Sequence, residues 1–127
     1  MNPQTPEMQR TVMSQVVLLA FNGDPMCFMH VLLNALDMEE RGTTARIILE
    51  GASTKLIPEL TREGSPLVKL YEKAKARDLL EGVCRACSIK MGTLEAARRE
   101  GLRLLDDMSG HPSMESYRVQ GFQIITF

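Results

Sequence analysis

The sequence lacks several features that would assign it to a specialised class of protein. No apolar run approaches the roughly 20 residues that a membrane helix needs. The opening MNPQTPEMQRTVM lacks the charged segment and the apolar segment of a secretory signal. The 15 basic and 16 acidic residues are scattered and leave a net charge of −1, which argues against a nucleic-acid partner. We therefore expect a cytoplasmic protein without a membrane or nucleic-acid partner.

Motifs for common cofactors and reactions are also missing. FNGDP (21–25) only loosely resembles a phosphate-binding turn, and neither GxGxxG nor GxxxxGK[ST] occurs. No GxSxG marks a hydrolase nucleophile. Three cysteines argue for thiols rather than a disulfide framework, and a single CxxC without a second pair is weak evidence for zinc. The sequence therefore predicts no cofactor and no metal.

Apolar segments typical of strands alternate with helical patterns along most of the chain. Residues 1–13 show no period and are predicted to be a flexible leader, and residues 14–127 to be one domain. Strands are predicted over 14–21, 45–51, 79–86, 102–107 and 122–127, with helices between them. This alternation predicts an α/β fold, a three-layer α/β/α sandwich around a mostly parallel five-stranded sheet.

The first predicted helix, residues 25–41, is unusually apolar. Asp24 is a good N-cap, Pro25 suits the first helical position, and Gly42 can end the helix. Its polar residues form a single stripe, so most of its surface is apolar. One sheet face cannot cover that much apolar surface. We therefore expect a homo-oligomer.

The candidate site residues follow strand ends. In parallel sheets, ligands bind beyond the carboxyl ends of the strands. Cys84 closes the third predicted strand, and Cys87 opens the next helical turn, where the helix dipole favours thiolate. Cys84 and Cys87 are the predicted catalytic residues. The predicted substrate-binding residues are Asn22 and Gly23, after the first strand, and Arg85, between the cysteines.

Other reactive residues have simpler interpretations. Cys27 lies among apolar neighbours, as a buried cysteine would, and His30 falls on the polar stripe. The Asp106-Asp107 pair is typical of a solvated loop entrance. His111 can cap a helix or line a loop. It could give a proton near Cys84 only if the loop after the fourth strand folds over that site.

Three segments of the chain resemble the DsrE/DsrF-like family of small sulfur-handling proteins. The first spans residues 14–51 and matches the family's opening strand, apolar helix and second strand: SQVVLLAFNGDPMCFMHVLLNALDMEERGTTARIILEG. The second is similar to the family's cysteine segment and reads GVCRACSIKMG. The third resembles its frequent ending and reads RVQGFQIITF.

The resemblance implies a function as well as a fold. Family members commonly form homotrimers or hexamers. In relay members the cysteine after the third strand, Cys84 here, receives sulfane sulfur as a persulfide. Cys87 falls where one-cysteine relay members often have alanine. The implied function is a persulfide carrier working with a sulfur donor or acceptor protein. A dithiol redox protein using both cysteines and a non-catalytic oligomeric module are the alternatives.

Overall fold

A computed structural model describes residues 14–127, so the predicted leader lies outside the described residues. Five strands alternate with five α-helices and one 3-10 helix. In chain order the elements are β1 (Gln15–Ala20), α1 (Pro25–Glu40), β2 (Thr44–Leu49), the 3-10 helix (Gly51–Leu60), α2 (Val68–Ala76), β3 (Leu80–Cys84), α3 (Arg85–Lys90), α4 (Leu94–Arg99), β4 (Leu104–Leu105), α5 (Met114–Arg118) and β5 (Gln123–Thr126).

All five strands belong to one parallel sheet in the order β4-β3-β2-β1-β5. The predicted α/β fold is confirmed, and the sheet is parallel throughout. The chain adds β2, β3 and β4 in one direction and then crosses back to place β5 beside β1. Because parallel crossovers are right-handed, this reversal puts the final helix on the opposite face from the earlier helices.

The two faces of the sheet are covered unequally. Most of the core lies on the face that α1, α2, α4 and the 3-10 helix cover, and its largest members are Leu18, Phe28, Leu32, Ile47, Leu49, Ile57, Leu60, Leu67, Tyr71 and Leu79. Burying each large side chain contributes about 1.5–3 kcal/mol. The other face carries a small cluster of Val17, Leu19, Ile48 and Leu105 under α5 and the start of β5.

The first strand and helix follow from their sequence. β1 is buried on both faces, as expected for a continuous apolar run in the middle of a parallel sheet. Asp24 caps α1 by accepting from the Met26 N–H at 2.8 Å, and Gly42 follows the helix with a φ of +94°. Among residues 14–127, no helix has both the length and the apolar character to cross a membrane.

The second half of the chain has shorter elements than its pattern predicts. β4 covers two residues rather than 102–107, and α5 covers five rather than 112–120.

Gly82, which weakens the strand pattern of β3, has a packing role. A Cβ added there would lie 2.6 Å from the Arg103 oxygen and 2.9 Å from Leu105 Cγ. Glycine therefore lets β3 and β4 approach each other closely.

Candidate thiol site at the carboxyl edge of the sheet

Cys84 and Cys87 lie where β3 passes into α3. Cys84 is the last residue of the strand and the N-cap of the helix. Its Sγ accepts from the Cys87 N–H at 3.4 Å, while the Ser88 hydroxyl donates to the Cys84 carbonyl at 2.7 Å. The predicted positions of both cysteines, at a strand end and in the following helical turn, match the structure.

A tight turn between β4 and α5 brings His111 over this junction. Met108 and His111 exchange both backbone hydrogen bonds, at 2.8 and 3.0 Å. The two residues between them, Ser109 and Gly110, have φ values of +52° and +90°, which a two-residue hairpin turn requires. The Gly110 carbonyl accepts from the Ala86 N–H at 2.9 Å, so the turn is fastened to the start of α3.

Three polar side chains converge on one nitrogen of His111. Its Nδ1 lies 3.1 Å from Cys84 Sγ and 3.8 Å from Cys87 Sγ. The same nitrogen lies 3.5 Å from Oε2 of Glu50, which directly follows β2. The two sulfurs and a ring nitrogen all lie within 4.8 Å of one another. The site therefore combines two thiols, an imidazole and a carboxylate.

The two thiols differ in their exposure to solvent. Cys84 is fully buried, whereas Cys87 is half-buried. Burial raises the pKa of the Cys84 thiol to about 12, and the Cys87 N–H opposes this shift only in part. The N–H at the start of the helix therefore favours the Cys84 thiolate, as expected, but burial disfavours the thiolate more strongly and the pKa rises. Burial also raises the pKa of Glu50, although the nearby His111 works in the opposite direction.

This arrangement permits thiol chemistry with an internal proton partner. The Cys84 thiol can donate to Nδ1 of His111 or, once ionised, accept from it. An imidazole beside a sulfur nucleophile is the usual means of activating it. The Cys84 and Cys87 thiols and the His111 imidazole are also metal ligands by type and spacing. The prediction of no metal depended on the lack of a second ligand pair, because His111 stands alone in the sequence, far from the two cysteines.

The predicted substrate-binding residues have different surroundings. The Asn22 side chain accepts from the Asp24 N–H at 2.8 Å, so it organises the turn before α1. Gly23 leaves little room for a side chain, because an added Cβ would lie 2.9 Å from the Ala52 carbonyl oxygen. Among the hydrogen bonds described for residues 14–127, none joins Asn22 or Gly23 to the two thiols. Arg85 is exposed at the start of α3. Their binding roles stay predictions.

The sequence alone indicates no role for Glu50 and only a conditional one for His111. Their signals were present: Glu50 follows a buried strand, and Ser109-Gly110 is a turn dipeptide just before the histidine. What the sequence could not show is that this turn folds back onto α3. His30 lies exposed on α1 as predicted, and Cys27 is half-buried.

A cleft of about 470 Å³ lies at the opposite, amino edge of the sheet. It is polar, and most of its charged side chains pair with one another. Glu81 lies 3.8 Å from Arg46 and 3.4 Å from Arg103, while Glu100 lies 2.9 Å from Lys75. Volume alone would place a binding site here. The two thiols and the imidazole lie at the other edge.

Two archaeal proteins are similar in sequence to the chain. Uncharacterized protein MJ0733 of Methanocaldococcus jannaschii is 36% identical over 97 residues, which cover 76% of this chain and 77% of that protein. The chain belongs to the family of this archaeal protein. A second family relative, an uncharacterized protein of Archaeoglobus fulgidus, is 38% identical over 58 residues, or 46% of this chain and 93% of the relative. No family model and no solved structure matches the chain significantly.

Proposed function

We propose that the protein handles sulfane sulfur on Cys84 and Cys87, as a DsrE/DsrF-like carrier would. One observation carries the proposal: a buried and a half-buried thiol face the same imidazole nitrogen, at 3.1 and 3.8 Å. A carrier needs one thiol that a donor can reach and a protected position for the reactive sulfur. Cys87 meets the first need and Cys84 the second.

The transfer runs in two balanced steps. The Cys87 thiolate attacks the outer sulfur of a donor persulfide, and the donor leaves as its thiol after taking a proton. Cys84 then attacks the outer sulfur now held on Cys87. A persulfide forms on Cys84, and Cys87 is released as a thiolate. Neither step requires an oxidant or a reductant, because the sulfane sulfur keeps its oxidation state.

His111 serves as the proton partner in the second step. Its Nδ1 is close enough to Cys84 Sγ to accept the thiol proton as that sulfur attacks. The imidazolium can then return the proton to Cys87, whose sulfur lies 3.8 Å from the same nitrogen. This role matters because burial disfavours a free Cys84 thiolate.

Mass spectrometry tests the carrier proposal directly. Reduced protein is incubated with a small-molecule persulfide, and its intact mass and alkylated peptides are measured. We expect one added sulfur in the wild type, located on Cys84. The adduct should remain on Cys87 in Cys84→Ser and form slowly in Cys87→Ser. Cys27→Ser is the matched control and should load normally. A wild-type protein that gains no sulfur contradicts the proposal.

Disulfide exchange is the second candidate function, because the two sulfurs lie within 4.8 Å of each other. If Cys84 attacks the inner sulfur of the Cys87 persulfide, a Cys84–Cys87 disulfide forms and hydrosulfide leaves. The dithiol then supplies the two electrons that reduce the sulfane sulfur. Released sulfide and the loss of two hydrogens from the peptide containing both cysteines identify this route. A stable persulfide without sulfide release rules it out.

The proposed carrier acts as a homo-oligomer in the cytoplasm, with a sulfur donor or acceptor protein as partner. Support for assembly comes from α1, where the Met26 and Leu33 side chains remain 66% and 44% exposed. Large apolar side chains of this kind on one helix are typical of an interface. Sedimentation at micromolar concentration should give a trimer or a hexamer. A stable monomer under those conditions contradicts this part of the proposal.

A further inference from the structure

We infer that Cys84, Cys87 and His111 form a binding site for a zinc-type divalent metal ion, with Glu50 beside its fourth coordination position. The inference goes beyond sulfur handling and does not depend on it. It concerns the reduced, sulfur-free protein, in which both sulfurs and the imidazole nitrogen are available as ligands.

The spacing of the donor atoms fits a tetrahedral ion. Zinc–sulfur bonds of about 2.3 Å and zinc–nitrogen bonds of about 2.0 Å at tetrahedral angles separate sulfur from nitrogen by roughly 3.5 Å. The two sulfur–nitrogen distances in the site, 3.1 Å to Cys84 and 3.8 Å to Cys87, bracket that value. Small side-chain rotations would therefore complete the coordination.

The donor types decide which ion fits. Thiolate sulfur and imidazole nitrogen suit zinc and similar transition metals, whereas magnesium and calcium prefer oxygen ligands. Three protein ligands leave one position of a tetrahedron open. The Glu50 carboxylate oxygen lies 3.5 Å from the ligating nitrogen, and its side chain is only 12% exposed. It can accept a hydrogen bond from water held at the open position.

The backbone around the site holds the ligands in place without the metal. The Cys87 N–H already donates to Cys84 Sγ at 3.4 Å, a contact that stabilises a metal-bound thiolate. The Ala86 N–H holds the Gly110 carbonyl at 2.9 Å and thereby fixes the turn that presents His111. A site whose ligands are positioned beforehand binds with a smaller entropy cost.

A metal ion and an incoming sulfane sulfur would compete for the same lone pairs on the cysteine sulfurs. A thiolate that coordinates a metal has one lone pair fewer for attack on a persulfide, and the ion blocks access to Cys84. The metal would therefore protect the reduced site, and sulfur uptake would require its release. Zinc in excess should slow sulfur uptake and leave the fold intact.

Cobalt titration of the metal-free, reduced protein tests the site without any sulfur donor. We expect one Co²⁺ per chain, a thiolate-to-cobalt charge-transfer band and the intense visible bands of tetrahedral cobalt, all removed by one equivalent of Zn²⁺. Cys87→Ser and His111→Ala should weaken binding by at least about 100-fold, and Glu50→Gln by about 10-fold. Cys27→Ser should bind like the wild type.

Two outcomes would overturn the inference. One is a wild-type protein that shows no tetrahedral cobalt spectrum. The other is a Cys27→Ser variant that loses as much affinity as Cys87→Ser. As a control, circular dichroism of each metal-free variant should match the wild type, which establishes that the variant is folded. Because Cys87 is half-buried, Cys87→Ser remains informative even where the fully buried Cys84 does not tolerate substitution. Sulfur uptake is measured separately, so the carrier proposal can fail while metal binding stands, and the reverse.

Discussion

The two edges of the sheet hold their polar groups in different ways. At the amino edge, each of two half-buried carboxylates pairs with at least one cation and accepts from a tyrosine. Glu81 lies 3.4 Å from Arg103 and accepts from the Tyr117 hydroxyl at 2.9 Å. Glu100 lies 2.9 Å from Lys75 and accepts from a second tyrosine hydroxyl at 2.8 Å.

At the carboxyl edge, three acidic groups share one imidazole. Two thiols and a carboxylate face Nδ1 of His111, and among the ion pairs described for residues 14–127, Glu50 pairs with no Lys or Arg. The pKa values follow this difference. Lys75, more than any other group, lowers the pKa of Glu100, whereas burial raises that of Glu50. The carboxylates paired with cations at the amino edge stabilise the fold. The thiols and the carboxylate at the carboxyl edge have only one imidazole between them, so their protons can move.

The largest expected effect is on the carboxyl edge. His111→Ala should slow sulfur transfer from Cys87 to Cys84 by at least about 100-fold, because a proton acceptor beside a nucleophile is typically worth 10²–10⁴-fold in rate. Single-turnover loading, quenched by alkylation and followed by mapping the added sulfur to Cys87 or Cys84, measures this. His30→Ala is the matched control, since His30 lies exposed on α1 and its ring nitrogen bonds to the Met26 carbonyl of the same helix. Equal rates for the two variants would show that the imidazole at the thiols has no role in transfer.

The next effect is on the amino edge and concerns stability. Glu81→Ala leaves the Tyr117 hydroxyl and two arginines without their carboxylate, so the free energy of unfolding should fall by about 2 kcal/mol. Urea denaturation measures the loss. Glu115→Ala, which breaks an exposed and solvent-screened pair with Arg118, should cost much less stability than Glu81→Ala. Sulfur uptake should be unchanged in both; a slowed Glu81→Ala would show that the edges are coupled.

The turn that presents His111 allows a sharper test. Gly110→Ala and Gly64→Ala both place a side chain at positive φ, at +90° and +86°. Each should lose about 1 kcal/mol of stability. Only at Gly110 would the added Cβ meet another side chain, the Ala86 methyl at 3.1 Å. Gly110→Ala alone should therefore also slow sulfur transfer from Cys87 to Cys84. Equal transfer rates in both variants would mean that the turn need not hold the imidazole rigidly.

The smallest effect is the pH dependence of the amino edge. Lys75 and, to a lesser degree, the Tyr71 hydroxyl lower the pKa of the Glu100 carboxyl, and Arg99 adds a small contribution. A lowered folded-state pKa contributes stability that is present above the unfolded value near 4.5 and is lost as pH falls through the folded value. Glu100→Gln should therefore flatten the acid limb of the stability curve by under about 1 kcal/mol.

Urea midpoints between pH 6 and pH 3 measure that curve. Glu95→Gln is the control, because the Glu95 carboxylate is 73% exposed in its pair with Arg98. Identical curves for Glu100→Gln and the wild type would show that the Lys75 pair adds no pH-dependent stability to the folded protein relative to the unfolded chain.

Local signals in the sequence predicted the first half of the fold well. β1 is a continuous apolar run, and α1 has an N-cap, a proline and a terminal glycine, so their bounds follow from short-range chemistry. β4 was predicted too long because its extent depends on its partner: only Val83 and Cys84 of β3 pair with it. Pairing between strands is a long-range property that apolar composition does not encode.

The candidate site was predicted in part for the same reason. Cys84 and Cys87 are three residues apart, so their placement at one junction is local and could be predicted. His111 and Glu50 reach the thiols from other parts of the chain. Their approach depends on the Ser109-Gly110 turn and on β2 lying beside β3 in the sheet. Neither contact leaves a periodic signal in a single sequence.

The order of strands has a consequence for synthesis on the ribosome. β5 pairs with β1, and Gln15 also reaches the Gln120 carbonyl across a separation of 105 residues. While the intervening chain is being translated, β1 has a neighbour on only one side. An apolar strand with an unpaired edge is a template for aggregation. The nascent chain therefore stays vulnerable until residues 123–126 emerge, although the segments that carry the thiols and the imidazole have already left the exit tunnel.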